Sequence, residues 1–375
     1  RRKEILKTAR DLVLLDYHNS MIGSGDVLED DLASAGDIGD PKAMLDQSGT
    51  ISIQKLKFDS CQISLAACRL LKFVHEVMKQ AMKSFSTSSP SQISSLLFHS
   101  ARDCLEIFIA VVPVKFDEII NTIPRMGAVF YNDCLYIAHN TILLTHKYRL
   151  EMMANEEEIL QGTIGFIDFI PRLRKLGDQV MRNHLTQQQT ILREMVKRIG
   201  ISPDRQVKKN IGASSASATG KTLGTGLIAD HLKSKFLKQS SGRENENEVS
   251  LNQMLDAKDE ECSNDENRAS MLVDQLEKLS TQWLGVLQEV NYARFMGFLI
   301  DDVLRELMAP VLQTECITET AASEIYRIFK IMQRVKSLLH TDDSTVEQQW
   351  KTICTSWEKF LAITDLLEYN LNDIA

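Results

Sequence analysis

The stretch YNDCLYIAHNTILLTH, residues 131 to 146, holds the side chains best suited to chemistry: Asp133, Cys134, His139 and His146. A carboxylate, a thiol and two imidazoles can make a metal site or a nucleophile with its base. On a helix, His139 and His146 share an angle but lie about 10 Å apart along the axis, too far to chelate one ion. Cys134 shares a face with Ala138, and His139 sits about 100° further round, so thiol and imidazole are badly placed as nucleophile and base. No H-E-x-x-H, G-x-S-x-G or second Cys/His cluster offers a partner from elsewhere in the chain. Gly220, Lys221 and Thr222 end like a phosphate-binding loop. Yet Ser215 stands where its first glycine belongs, RQVKKNIG before it is no buried strand, and Gly224 and Gly226 interrupt the helix such a loop must open. An enzyme or nucleotide switch built on Cys134/His139 or Lys221/Thr222 is therefore the alternative reading, and context counts against it.

The element that must position those side chains is a long helix over about 127 to 153. Leu135, Ala138, Ile142, Thr145, Tyr148 and Met152 recur at steps of three and four, with Ile137, Leu143 and Leu144 widening the stripe until the helix is buried on most sides. Asn132, Asp133, His139 and His146 then read as groups that hydrogen-bond to neighbouring helices or cap their ends. The same periodicity predicts a helix over 59 to 83, with Asp59 and Ser60 as caps. Others follow at 93 to 111, stopped by Pro113, from about Pro171 to Ile199 and from about Arg268 to Met308, with two shorter ones beyond. Strand alternation is hard to find. The fold expected is all-α, in elongated stacked bundles.

Two segments break the pattern. GSGDVLEDDLASAGDIGDP (23 to 41) lacks the acid spacing of a calcium loop and reads as a linker. Residues 201 to 267, rich in Ser, Gly, Asn and Glu, read as a flexible insertion. The organisation is thus an N-terminal helix and acidic linker (1–58), a bundle (59–200), the insertion (201–267) and a C-terminal bundle (268–375).

With 43% hydrophobic residues and a net charge of −8, the chain can bury a substantial core and disfavours nucleic acid or anionic membrane as partners, leaving proteins. Arg172, Arg174 and Lys175, which suit an anionic ligand, are followed by Asp178 and read as a solvated face. The seven cysteines, Cys61, Cys68, Cys104, Cys134, Cys262, Cys316 and Cys354, form no C-x-x-C pair and fit reduced thiols in cytosol. No apolar run is long enough to span a membrane, and nothing points to a cofactor or metal.

Several stretches, in order, resemble one family. ARDLVLLDYHNSM, CQISLAACRLLKFV, PRMGAVFYNDCLYIAHNTILLTHKYRLEM, GFIDFIPRLRKLG and LEKLSTQWLGVLQEVNYARFMGFLIDDVLREL are similar to the C-terminal half of the zeste-white-ten proteins. Members often carry a second histidine after IAH, where this chain has Asn140, so no paired-histidine role carries over. The missing initiator Met and the missing N-terminal coiled-coil half fit a piece of something longer. The resemblance implies a non-enzymatic scaffold subunit of a tethering complex in Golgi-to-ER retrograde transport, associated with ER SNAREs. It equally implies the mitotic kinetochore complex with Rough deal and Zwilch, which serves the spindle checkpoint and recruits dynein. Its partner would be a helical solenoid, Rough deal or its tethering-complex relative, beside Zwilch or a Rint-type subunit. The setting implied is cytoplasmic, peripheral on the endoplasmic reticulum, and at the kinetochore and spindle in mitosis. The resemblance places the solenoid on the C-terminal part, where the aromatic anchors an interface needs would come from Trp350 first, then Trp357, Phe360, Trp283, Phe295 and Phe298.

Overall fold

A computed structural model describes residues 1–15, 17–23, 58–86, 92–153, 165–201, 265–339 and 352–369. Among these, ten α-helices and one small sheet make an all-α bundle. The linker residues 24–57, nearly all of the proposed insertion including Lys221 and Thr222, and Trp350 lie outside the described residues.

Helix α1 (Arg2–Val13) presents Ile5, Ala9 and Val13 at steps of four and lays them on α2 (Leu65–Ser86) and α3 (Gln92–Lys115). Short α4 (Asp117–Thr122) turns the chain into α5 (Pro124–Met153), where Pro124 takes the first helical position, a place that asks for no N–H. The long α5 packs along α6 (Phe169–Ile199), and α6 in turn carries α7 (Asp265–Trp283) and α8 (Glu289–Gln313). Helix α9 (Glu319–Met332), a 3-10 turn (Gln333–Leu339) and α10 (Ser356–Glu368) complete the C-terminal side. The buried apolar side chains form one cluster from Ile5 to Phe360.

Four local expectations are corrected. The helix expected from residue 59 begins at Leu65, because Cys61–Ser64 is a strand, β2, paired antiparallel with β1 (Ser20–Gly23). Its cap is Ser64, whose Oγ accepts from the Ala67 amide at 3.1 Å, in place of Asp59 or Ser60. Pro113 does not stop α3, which runs on to Lys115, since the proline sits in the last turn and removes only one bond near the end. The single helix expected over 268 to 308 is two. Gly285 adopts φ 70°, a left-handed conformation that costs a side-chain-bearing residue, and the chain turns there between Trp283 and Glu289.

The solvated face expected over Arg172 to Lys175 needs one change. Arg172 forms a two-pronged bond to Glu106 of α3 at 2.5 and 2.6 Å, while Arg102 of α3 grips Asp168 at 2.9 and 2.6 Å and also donates to the Gly165 carbonyl. Both guanidinium groups lie over the Phe169 ring, 4.8 and 5.4 Å from its centre. Arg172 thus fastens the start of α6 to α3. Its charge holds the Glu106 carboxyl below the usual range, as Arg102 does for Asp168, in each case chiefly by hydrogen bonding.

Candidate protein-interaction site

The residues singled out for chemistry separate in space. Cys134 is fully buried where α5 crosses α6: a Cβ on Gly177 would come within 3.1 Å of the Cys134 Cβ. Burial pushes its thiol well above the ordinary value, with Asp133 and Asp178 adding to the effect. His139 is half-buried with its ring 5.3 Å from Phe58, and His146 is exposed. Among the described residues no cluster of three or more His, Cys, Asp or Glu could hold a metal. Within the stripe read along α5, Ala138, Thr145 and Tyr148 are buried, while Leu135 and Ile142 are only half-buried.

Asn132 and Asp133 are hydrogen-bonded as expected, but to non-helical segments and not to neighbouring helices. Asp133, with none of its surface exposed, accepts from the Tyr17 hydroxyl at 2.5 Å and the Ser64 amide at 2.7 Å. Burial raises its carboxyl to about 6, and the bonds from Tyr17 and Ser64 hold it from going higher. Asn132 uses its amide nitrogen twice, donating to the Gln62 carbonyl and the Val286 carbonyl, each at 2.8 Å. The Val286 carbonyl also accepts from the Gln62 amide at 2.9 Å. The Gly285 turn is what aims that carbonyl at β2. Nearby, Trp283 donates its indole N–H to the Pro124 carbonyl at 3.1 Å. Two adjacent residues of α5 therefore tie the segment after α1, strand β2 and the α7–α8 turn to one point. Tyr17, Ser64, Gln62 and Val286 escaped the sequence reading; Gly285 in WLGV was the one local signal of the turn.

The six aromatics named as partner anchors divide sharply. Trp283 and Phe360 are fully buried, Trp357 and Phe295 nearly so, and all four fill the chain's own core. Phe295 stands edge-on to Tyr131 at 5.7 Å and to Trp283 at 6.3 Å; Phe360 meets Phe329 at 4.8 Å and Trp357 at 5.9 Å. A side chain already out of water gains nothing from a partner's surface, which leaves Phe298, 42% exposed, as the accessible member among the described residues. One turn before it on α8, Arg294 acts on the Tyr131 hydroxyl together with Arg174 of α6, with Asp178 opposing them; burial is the largest influence there and raises that phenol. No helix among the described residues is long and apolar enough to cross a membrane.

Comparison with known proteins places these helices. Residues 56–194 match the family model described as centromere/kinetochore protein zw10, C-terminal, and residues 269–375 match the ZW10 C-terminal helical domain. The mouse centromere/kinetochore protein zw10 homolog is 23% identical over 392 residues, covering 99% of this chain and 43% of that protein. The Drosophila grimshawi zw10 protein is 21% identical over 329 residues, 88% of this chain and 35% of its own length. The Arabidopsis thaliana homolog is 25% identical over 152 residues, 40% of this chain and 19% of its own. The chain thus spans less than half the length of the curated relatives it matches. Two models of one family, matched in order on the two sides of the Asn132–Val286 bond, cover most of the described helices, and the chain belongs to the ZW10 family.

Proposed function

We propose that the chain is part of a non-enzymatic scaffold subunit, one that joins a multisubunit complex through helix-to-helix docking. The carrying observation is the ordered match of both helical halves to a family named for the centromere and kinetochore. The chemistry-bearing side chains of α5 agree with a structural role. Asp133 and Asn132 are engaged in holding segments together, and the Cys134 thiol is buried and kept protonated. Under this reading the helices of 59–200 and 268–375 are two units of one scaffold. The subunit works in the kinetochore complex with Rough deal and Zwilch, in Golgi-to-ER vesicle tethering with a Rint-type subunit and ER SNAREs, or in both. It would then be found in the cytoplasm, on the endoplasmic reticulum membrane, and at kinetochores in mitosis.

The test is affinity capture of the intact protein from mitotic and from interphase cells, with partners identified by mass spectrometry. Rough deal and Zwilch are expected in the mitotic sample, and the tethering subunits in the interphase one. Recovery of neither set from either sample would refute the scaffold reading. A catalytic activity lost on His139→Gln at unchanged stability would favour the enzyme reading instead.

A further inference from the structure

We propose that the solvent face of α8, together with Arg174 of α6, docks an acidic amphipathic helix of a protein partner. The proposal deepens the scaffold reading by naming the surface and the chemistry of what covers it.

Helix α8 is buried along most of its length, but Val290, Arg294 and Phe298 stand at steps of four on one line facing solvent. Val290 and Phe298 are each 42% exposed. Two apolar side chains eight residues apart are separated by about 12 Å along the axis. That is two turns of a helix laid beside α8, so one partner face can meet both. Between them stands Arg294, and the second guanidinium comes from α6. Arg174 precedes by three residues Gly177, where a Cβ would come within 3.3 Å of the Tyr131 ring, and Arg294 precedes Phe295, whose ring is 5.7 Å from that of Tyr131; both charges act on the Tyr131 hydroxyl. Asp178 shares the neighbourhood, yet among the described residues neither arginine has a carboxylate within salt-bridge distance. Four other arginines, Arg102, Arg172, Arg193 and Arg305, each hold a carboxylate within 3 Å, whereas Arg10, Arg69, Arg125 and Arg182, like this pair, hold none among the described residues.

Charge complementarity therefore selects the occupant. In a chain of net charge −8, two arginines left without partners beside exposed Val290 and Phe298 suit a helix with carboxylates in the middle and apolar residues on either side. The face is firmly backed, since Tyr131 beneath it is braced by Phe295, and Phe295 by Trp283. It also draws on α6 and α8, one from each matched family region, so it exists only when the two halves are assembled.

The experiment uses the intact protein in cells, with Phe298→p-benzoylphenylalanine as the photo-crosslinking probe and the crosslinked peptide sequenced. The expected product is a partner segment with apolar residues two turns apart and acidic residues between them. Phe298→Ala and the double variant Arg174→Glu/Arg294→Glu should each weaken capture of that partner about tenfold or more while melting as the wild type does. Raising salt should weaken the wild type more than the double variant. A crosslink only to a second copy of this chain, a basic or structureless segment, or no crosslink to another protein would overturn the proposal. So would capture by both variants at wild-type affinity. In that last case the wild type still recovers its complex, and the scaffold reading survives without this surface.

Discussion

Replacing Asp133 with Asn should change how stability depends on pH far more than it changes the fold. The carboxyl is completely buried, faces two donors, Tyr17 and Ser64, and titrates at about 6 when folded against an ordinary value of 3.8. A folded value above the unfolded one means that the folded state holds its proton more tightly. The side chain's contribution is then fully present below 3.8 and is lost as pH rises through about 6. The gap, at about 1.4 kcal/mol per pH unit, is worth about 3 kcal/mol. Some 2 kcal/mol of that, roughly, falls between pH 4.5 and pH 7.5. The groups whose charges act with Asp133, namely Tyr17, Cys61 and Cys134, have values pushed up by burial and stay neutral across this window. In Asp133→Asn the amide oxygen can accept from Ser64 while its nitrogen donates to the Tyr17 oxygen, whose hydroxyl turns away, so no acidic proton remains to titrate. Denaturant unfolding of both proteins across that range is the assay. The stability of wild type minus that of Asp133→Asn should fall by about 2 kcal/mol from the acid to the neutral end. Taking the difference cancels the surface carboxylates such as Glu106 and Asp168, which act in the opposite direction. A flat difference, or one that grows with pH, would refute the reasoning.

Two further outcomes follow from the packing. Gly127→Ala should destabilise the fold by about 2–4 kcal/mol, seen as a lower denaturant midpoint, because the added methyl would overlap Nε2 of His184 and must displace a ring bonded to the Ile120 carbonyl at 2.7 Å. Among the described cysteines, Cys316 is exposed, whereas burial raises the thiols of Cys61, Cys104 and Cys354 to about 12 and pushes that of Cys134 well above its ordinary value. Maleimide labelling at neutral pH with peptide mapping should therefore modify Cys316 within minutes and those four only once denaturant is added; prompt labelling of native Cys134 would contradict the packing of α5 on α6.

The helices were legible because burial imposes a period that sequence displays: Ala67, Leu70, Val74, Val77 and Ala81 of α2 are all in the core, as their spacing requires. What stayed hidden depends on partners remote in the chain. Strands of four residues are too short to show alternation, so β1 and β2 leave no pattern in the sequence. The break at Gly285 is hidden because apolar spacing continues through Val286 and Leu287, which are buried as non-helical residues. Asp133 and Asn132 announced themselves as polar groups within a buried helix, but nothing local could name Tyr17 or Val286 as their partners. The aromatic anchors misled for the same reason. Composition concentrates tryptophan in the C-terminal third, and only packing decides that Trp283 turns inward while Phe298 does not.

The amide of Asn132 has a consequence for the order in which the chain can fold. Its two acceptors lie 70 residues before it and 154 residues after it. At synthesis rates of roughly 5–20 residues per second, α5 leaves the ribosome about 8 to 30 seconds ahead of the Gly285 turn. Throughout that interval α5 can take up Tyr17 and Ser64 at Asp133, while the donor beside it has only half of its final partners and β2 lacks the carbonyl that receives the Gln62 amide. The N-terminal helices thus wait, with one polar position open to solvent or to a chaperone, until the last third of the chain arrives to close it.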